Sequence, residues 1–430
     1  MNELPSPDAR PAYVGSDISH MVDGPHFAVR LGVPQTDPGI AYLALLNRLP
    51  NRDERVRAAE RGMAATCAEI ARSEEHLAHL KLHAPYSYLL AGSPSADAAH
   101  GAGTISSDVV AVVGSDGQLL LHGDSNNYVP QFQGEFPLPG DWLDDWRAVV
   151  ARPRERAVAA GVKLAQVIVP EKMAITPAAY PLDLLIRGPR PIELLLAACP
   201  GLDYPIDGFR ASAEPGFLVT DSHLSPAGGQ IMFNAACRQL DLVPPAPGEE
   251  DCCESLVLGD LGFRLDPLII ETATFPKPAA AIRITDENLP AIIASGAHLG
   301  SYRVTENSRA PFAERLLVFG DSFSLPMAPG LPGGFGDRLA RAFKTVHFCW
   351  APFSWDDKLV AEVQPDVIIQ EMGERGIHRV PSVTVDFASL AAAALASDAP
   401  PAPDQLRERQ PVGKLISRFG HRRRSADRAD

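Results

Sequence analysis

No stretch of the 430 residues holds the roughly eighteen uninterrupted apolar positions of a membrane span, so no spanning helix is expected. Basic charge is scarce. Lys and Arg number 39 against 53 Asp and Glu, and the resulting net charge of −14 excludes a nucleic-acid or anionic-membrane surface as partner. The short basic run at Arg422, Arg423 and Arg424 does not reverse that balance. Cysteine is sparse too. Six in this length make no disulfide framework, and no Cys-x-x-Cys pair suggests zinc. Cys252 and Cys253 are neighbours, poor geometry for bonding each other, so reduced cytosolic thiols are expected. The start, MNELPSPDARP, lacks the basic-then-apolar pattern of a secretory signal, and the expected compartment is the cytoplasm.

What the chain does have is an ordinary globular composition, 46% hydrophobic and 21% charged, with room for one large domain and a smaller companion. Residues 1–90 read as a helical N-terminal domain. Tyr42, Leu45 and Leu46, then Met63, Cys67 and Ile70, recur at three- and four-residue spacing among strong helix formers. Residues 91–108 are small and polar with Gly and Pro, the composition of a linker. From Val109 the texture changes. Short β-rich runs at 111–113, 119–122, 164–170, 216–220, 315–322, 345–350 and 366–372 alternate with helical stretches such as Trp142 to Ala160 and Ala227 to Leu240. That alternation predicts an α/β domain over 109–397, three layers with a mainly parallel sheet between helices. Continuous apolar runs such as Leu316 to Phe319 suit strands buried on both faces. Residues 398–430, Pro-rich then basic, read as a disordered tail.

Two of the strand ends carry chemistry. The run RLLVFGDSFS closes on Gly320, Asp321 and Ser322, and open α/β sheets bind ligands at the carboxyl ends of their strands. A serine hydroxyl is a weak nucleophile and needs a base, which in turn needs an orienter. The run VTDSHLSPAGG offers both, Asp221 and His223, two residues apart and therefore on the same side of an extended backbone. The competing ordinary readings are a turn serine for Ser322 and a helix cap before Ala227 for Asp221. Asp321 is expected to order the serine turn through backbone hydrogen bonds rather than move protons.

The chain from about Val109 to Leu390 resembles the alginate O-acetyltransferase family, whose domain looks like a rearranged SGNH/GDSL hydrolase. In that family a Thr-Asp-x-His element precedes the serine, the reverse of the usual order. Here Thr220-Asp221-Ser222-His223 comes before Gly320-Asp321-Ser322-Phe323. The stretches 112–126, 167–181 (with its Pro-x-Lys) and 365–375 are also similar, in the same order. The resemblance implies an SGNH-hydrolase-like fold with Ser322 as nucleophile, His223 as base, Asp221 as orienter and Arg375 as a substrate-side residue. It implies a carbohydrate substrate, an acyl donor that another protein supplies, and action outside the cytoplasm, against the expectation from the N-terminus. The chain departs from the family at Leu224, where an aromatic is usual. Segments 41–54 and 69–78 resemble a short helical domain appended to bacterial glycosyltransferases and surface proteins.

Other residues have simpler readings. His76, His79 and His83 fall on one helical face beside Glu74 and Glu75, and a solvated polar face is the expectation rather than a metal site. Glu374 and Arg375 would pair with each other at the surface, Lys172 would be a surface lysine at a strand end, and Asn126 and Asn307 would be turn residues unless one completes an oxyanion hole. No phosphate-cradling Gly-rich motif is present, so neither coenzyme A nor another cofactor is expected, nor a metal. Three functions follow as expectations: carbohydrate O-acetyltransferase through an acyl-serine, acetylesterase with the same three residues, and a non-catalytic glycan-binding or assembly protein.

Overall fold

The computed structural model describes residues 100–396 apart from 246–251, 258, 266–268, 270, 278, 280, 287, 290–291, 293–297 and 327–332. The N-terminal helical region, the histidines at 76, 79 and 83, the first half of the linker and the basic tail lie outside the described residues. A hairpin of β1 (Ala111–Val113) and β2 (Leu119–Leu121) comes first, followed by helices α1 (Tyr128–Gln133) and α2 (Trp142–Ala160). Next are β3 (Lys163–Val169), α3 (Lys172–Ile175), α4 (Pro191–Ala198), α5 (Ile206–Ala211) and α6 (Pro226–Gln239). A second hairpin, β4 (Cys252–Val257) with β5 (Glu271–Pro276), precedes β6 (Ile282–Asp286), β7 (Tyr302–Asn307) and β8 (Phe312–Gly320). The chain continues through α7 (Phe335–Ala342), β9 (Phe343–Trp350), α8 (Asp357–Val363), β10 (Val367–Gly373) and α9 (Phe387–Ala396).

The central sheet has six strands in the order β3-β10-β8-β9-β7-β6. Helices cover both faces, as the alternation predicts. Val167, Leu316, Val318, Val367 and Ile369 pack with Met232, Phe233 and Leu339 of α6 and α7. On the other face Ile168 packs with Trp146 and Val149 of α2, and Leu317, Phe319 and Ile368 with Val363 of α8. Full burial of each such side chain is worth about 1.5–3 kcal/mol.

The mainly parallel sheet expected from the sequence is matched in part. The pairings β3–β10, β10–β8 and β8–β9 are parallel, whereas β9–β7 and β7–β6 are antiparallel. The reason is connection length. Only residues 308–311 separate β7 from β8, and a parallel neighbour needs a crossover of roughly a dozen residues or more. β7 therefore runs down the sheet and delivers the chain to the start of β8. One correction concerns β1 and β2, which form a hairpin outside the central sheet, and another concerns 216–220. That segment forms no strand beyond a bridge between Phe217 and Leu224. Instead of entering a ladder, the N–H groups of Val219 and Thr220 donate to the Glu271 carboxylate at 2.9 and 2.7 Å.

Candidate active site

The carboxyl ends of four parallel strands meet at one edge of the sheet. Glu171 and Lys172 follow β3, Asp321 and Ser322 follow β8, Glu374 and Arg375 follow β10, and Trp350 ends β9. Ser322 opens a single 3-10 turn, Ser322–Ser324, which the Pro- and Gly-rich continuation keeps short. Asp321 shapes that turn as expected: one carboxylate oxygen accepts from Phe323 N at 3.0 Å and the other from Gly373 N at 2.9 Å. Gly320 is required here, because a Cβ would meet the Ser324 hydroxyl and the Glu371 carboxylate.

The Asp221-Ser222-His223 segment arrives from the loop before α6. Its geometry differs from the extended backbone expected. Asp221 Oδ1 accepts from the His223 backbone N at 2.8 Å, an Asx turn, and it is this turn that aims both side chains the same way. The helix cap is Ser225, whose hydroxyl accepts from Gly228 N with Pro226 at the first helical position, so Asp221 is not the cap. Three side chains then form one hydrogen-bonded chain. His223 Nδ1 lies 2.6 Å from Asp221 Oδ1, and His223 Nε2 lies 2.9 Å from Ser322 Oγ. A carboxylate can only accept, so Nδ1 carries the proton and Nε2 accepts from the Ser322 hydroxyl.

Asp221 is wholly buried and His223 nearly so. Burial disfavours the imidazolium, but Asp221 and Asp260 outweigh it and hold the His223 pKa above the ordinary histidine value. Burial, with the Asp260 charge behind it, also raises the Asp221 carboxyl. Asp221, His223 and Asp260 are residue types that ligate metals and lie within 4.8 Å of one another. Here, however, hydrogen bonds to Asp221, Ser222 and Ser322 occupy their ligating atoms.

The remaining candidates settle differently from expectation. Lys172 is buried rather than on the surface. Its ammonium reaches the carbonyls of Leu119, Leu218, Val219 and Asp221 at 2.9, 2.6, 3.2 and 2.7 Å. Burial pulls it down to about 8, with Glu271 and Asp221 opposing, so it remains a cation at neutral pH. Glu374 and Arg375 do not pair with each other. Glu374 accepts from Tyr204 Oη at 2.6 Å and Glu171 N at 3.1 Å, while Arg375 Nε pairs with Glu171 Oε1 at 3.2 Å. The Arg375 guanidinium also lies 5.2 Å over the Phe323 ring, beside the serine turn. Burial pushes the Glu171 carboxyl up to about 7 against the pull of Arg375. Asn307 is at the opposite end of the sheet, its amide donating to Arg341 O at 2.7 Å, and is remote from Ser322. Asn126 is nearer, since Gln131 Nε2 donates to its carbonyl at 2.7 Å and to that of Arg375 at 3.0 Å.

Two residues had no place in the reading of the sequence. Asp260, between β4 and β5, lies 3.9 Å from His223 Nδ1. Nothing in LVLGDLG marks it. Glu371, fully buried in β10, accepts from Ser324 Oγ at 2.7 Å and Asp321 N at 3.0 Å. Its signal was legible, an acid inside a mostly apolar strand.

No family model matches the chain, and no curated protein does. Among solved structures, it is similar to PatB1 of Bacillus cereus at 12% identity, over 64% of this chain and 96% of that one, with a TM-score of 0.40. It is similar to the O-acetyltransferase domain of Pseudomonas putida AlgJ at 16% identity, over 67% and 99%, with a TM-score of 0.37. Pseudomonas aeruginosa AlgX follows at 14% identity, over 67% and 66%, with a TM-score of 0.34.

Proposed function

We propose that this protein is a carbohydrate O-acetyltransferase working through Ser322, His223 and Asp221 and an acyl-serine intermediate. The observation that carries the reading is the hydrogen-bonded chain from Asp221 through His223 to Ser322, with contacts of 2.6 and 2.9 Å. In the first half-reaction His223 Nε2 takes the serine proton while Oγ bonds to the acyl carbonyl carbon. The imidazolium returns that proton to the departing oxygen or sulfur of the donor. In the second half a sugar hydroxyl gives its proton to Nε2 and attacks the acyl-serine; as the bond to Oγ breaks, the imidazolium hands that proton to Ser322 Oγ and the free serine is restored. Ser322 opens its 3-10 turn, so its own N–H has no partner inside the turn and is available to the oxyanion. Arg375 supplies a fixed cation on the substrate side, held by Glu171.

The sugar acceptor rests on the ordered resemblance of five segments to the alginate O-acetyltransferase family, and so does a donor brought by a partner protein. No helix among the described residues is long and apolar enough to cross a membrane. We place the protein in the cytoplasm on the buried free thiols of Cys199 and Cys237. Cell fractionation tests this, and a mainly periplasmic pool would overturn it.

The functional test is mass spectrometry of the protein after exposure to an activated acetyl ester. An acetyl group on the peptide containing Ser322, discharged faster by oligosaccharide than by water, is the expected result. Discharge by water alone makes the protein an esterase, and the absence of any adduct or turnover supports the non-catalytic reading.

A further inference from the structure

The turn that carries His223 is held from behind by a second carboxylate. Both oxygens of Asp260 are used on Ser222, the middle residue of Asp221-Ser222-His223: Oδ1 accepts from Ser222 N and Oδ2 from Ser222 Oγ, each at 2.6 Å. The backbone N of Asp260 donates to Asp221 Oδ2 at 2.9 Å, the oxygen that His223 does not use. The approach is close enough to demand glycine at 259, where a Cβ would meet the Thr220 carbonyl and the Asp221 side chain. Asp260 Oδ2 is 3.9 Å from His223 Nδ1.

We propose that Asp260 is a positioning residue of the active site: it fixes the Asp221-Ser222-His223 turn through Ser222 and sets a second negative charge beside the imidazole while His223 carries the serine proton. The proposal rests on the acyl-transfer reading above. Its physical content is electrostatic. Two carboxylates on one side of an imidazolium favour the charged ring more than one does, and the gain appears only when the ring is charged, as in the transition state. The charged groups facing His223 are Asp221 from its own turn, Asp260 from the β4–β5 connection and Arg375 from beyond β10, the last opposing the other two. Asp260 itself faces His223 and Arg375, whose charges together with the Ser222 hydrogen bonds outweigh its burial and lower its carboxyl pKa. Lys172 also feels its field, and Arg264 Nε donates to its carbonyl at 2.9 Å.

The test is the pH profile of kcat/KM for p-nitrophenyl acetate hydrolysis, measured on the full chain and on Asp260→Asn, Asp260→Ser, Ser222→Ala and Ser322→Ala. The acid limb of that profile reports the base in the free enzyme. Loss of the Asp260 charge should move the limb to lower pH by about one unit in both neutral variants, so whichever of them folds decides the matter. Ser222→Ala keeps the charge and should lower the plateau with the limb much less displaced. A limb that stays at its wild-type pH in the folded Asp260 variants, with Ser322→Ala inactive, overturns the proposal alone. Full activity in Ser322→Ala overturns the acyl-transfer reading beneath it.

Discussion

The ammonium of Lys172 donates to the carbonyl oxygen of Asp221 at 2.7 Å, so the residue after β3 holds the backbone of the residue that orients His223. The same ammonium gathers carbonyls from β2 and from Leu218 and Val219, tying the first hairpin to the histidine turn. Lys172→Met would leave those buried carbonyls without their donor, a loss on the order of 3 kcal/mol. Urea unfolding should show that loss, and Lys172→Arg should recover part of it because a cation with several donors is restored. Wild-type stability in the Met variant would mean the four contacts are not needed to hold the turn.

Ser322→Ala and His223→Ala should each abolish turnover of small acetyl esters to a similar degree, since residues acting as one unit do not contribute additively. Their circular dichroism should match the wild type. Ser322 is only half-buried, and removing its hydroxyl opens no cavity in the core. Measured hydrolysis of p-nitrophenyl acetate near the wild-type rate in either variant would remove the assignment.

Because His223 must be neutral to accept a proton, activity should fail on the acid side of a pKa that lies above the ordinary imidazole value of about 6.5. Stability runs the other way. A raised histidine pKa contributes stability that is fully present below about 6.5 and is lost as pH rises through the folded value. A pH–rate profile and a pH series of melting temperatures on the same protein check both signs. An acid limb below about pH 6 would contradict the first.

Glu371 offers a cleaner case of pH linkage. Burial, reinforced by the neighbouring Asp321 charge, raises its carboxyl well above the usual range, which favours the neutral acid behind the serine turn. Its stability contribution is complete below about pH 4.5 and declines as pH rises through the folded pKa. Glu371→Gln copies the neutral acid. Its melting temperature should match the wild type near pH 5 and exceed it increasingly toward pH 9. A gap that does not change with pH would show that Glu371 is ionised in the fold.

Residues 103–106 are bound to the first hairpin: Gly103 N donates to Val113 O, Val113 N to Thr104 O, and Ser106 N to Ala111 O at 2.8, 2.9 and 2.8 Å. We therefore expect a protein beginning at His100 to fold and to retain ester hydrolysis, with the domain boundary just before it. Soluble expression and p-nitrophenyl acetate turnover check this. Aggregation of the shortened chain would show that residues 1–99 cover part of the α/β domain.

Patterns that are local in the chain could be read directly. Leu316 to Phe319 and Val367 to Ile369 announce buried strands because a strand covered on both faces has no polar side to show. Trp142–Ala160 has the length and residue types of a helix, and a helix forms there. Gly320-Asp321-Ser322 was visible as a motif because a turn at a strand end needs those residue types, and Asp221-Ser222-His223 because an Asp two residues before a His favours an Asx turn. What tertiary structure decided was every relationship that depends on partners far apart in sequence. The segment 216–220 has the composition of a strand, yet Glu271, some fifty positions on, takes the N–H groups of Val219 and Thr220 away from any ladder. β7 runs antiparallel because of the four residues that follow it, not because of its own. Lys172 reads as a surface residue until four carbonyls from two other segments close around it. Asp260 carries no local signature at all. A charged side chain's role is set by which charges and dipoles surround it in a medium of low dielectric, and a single chain written in order does not contain those distances.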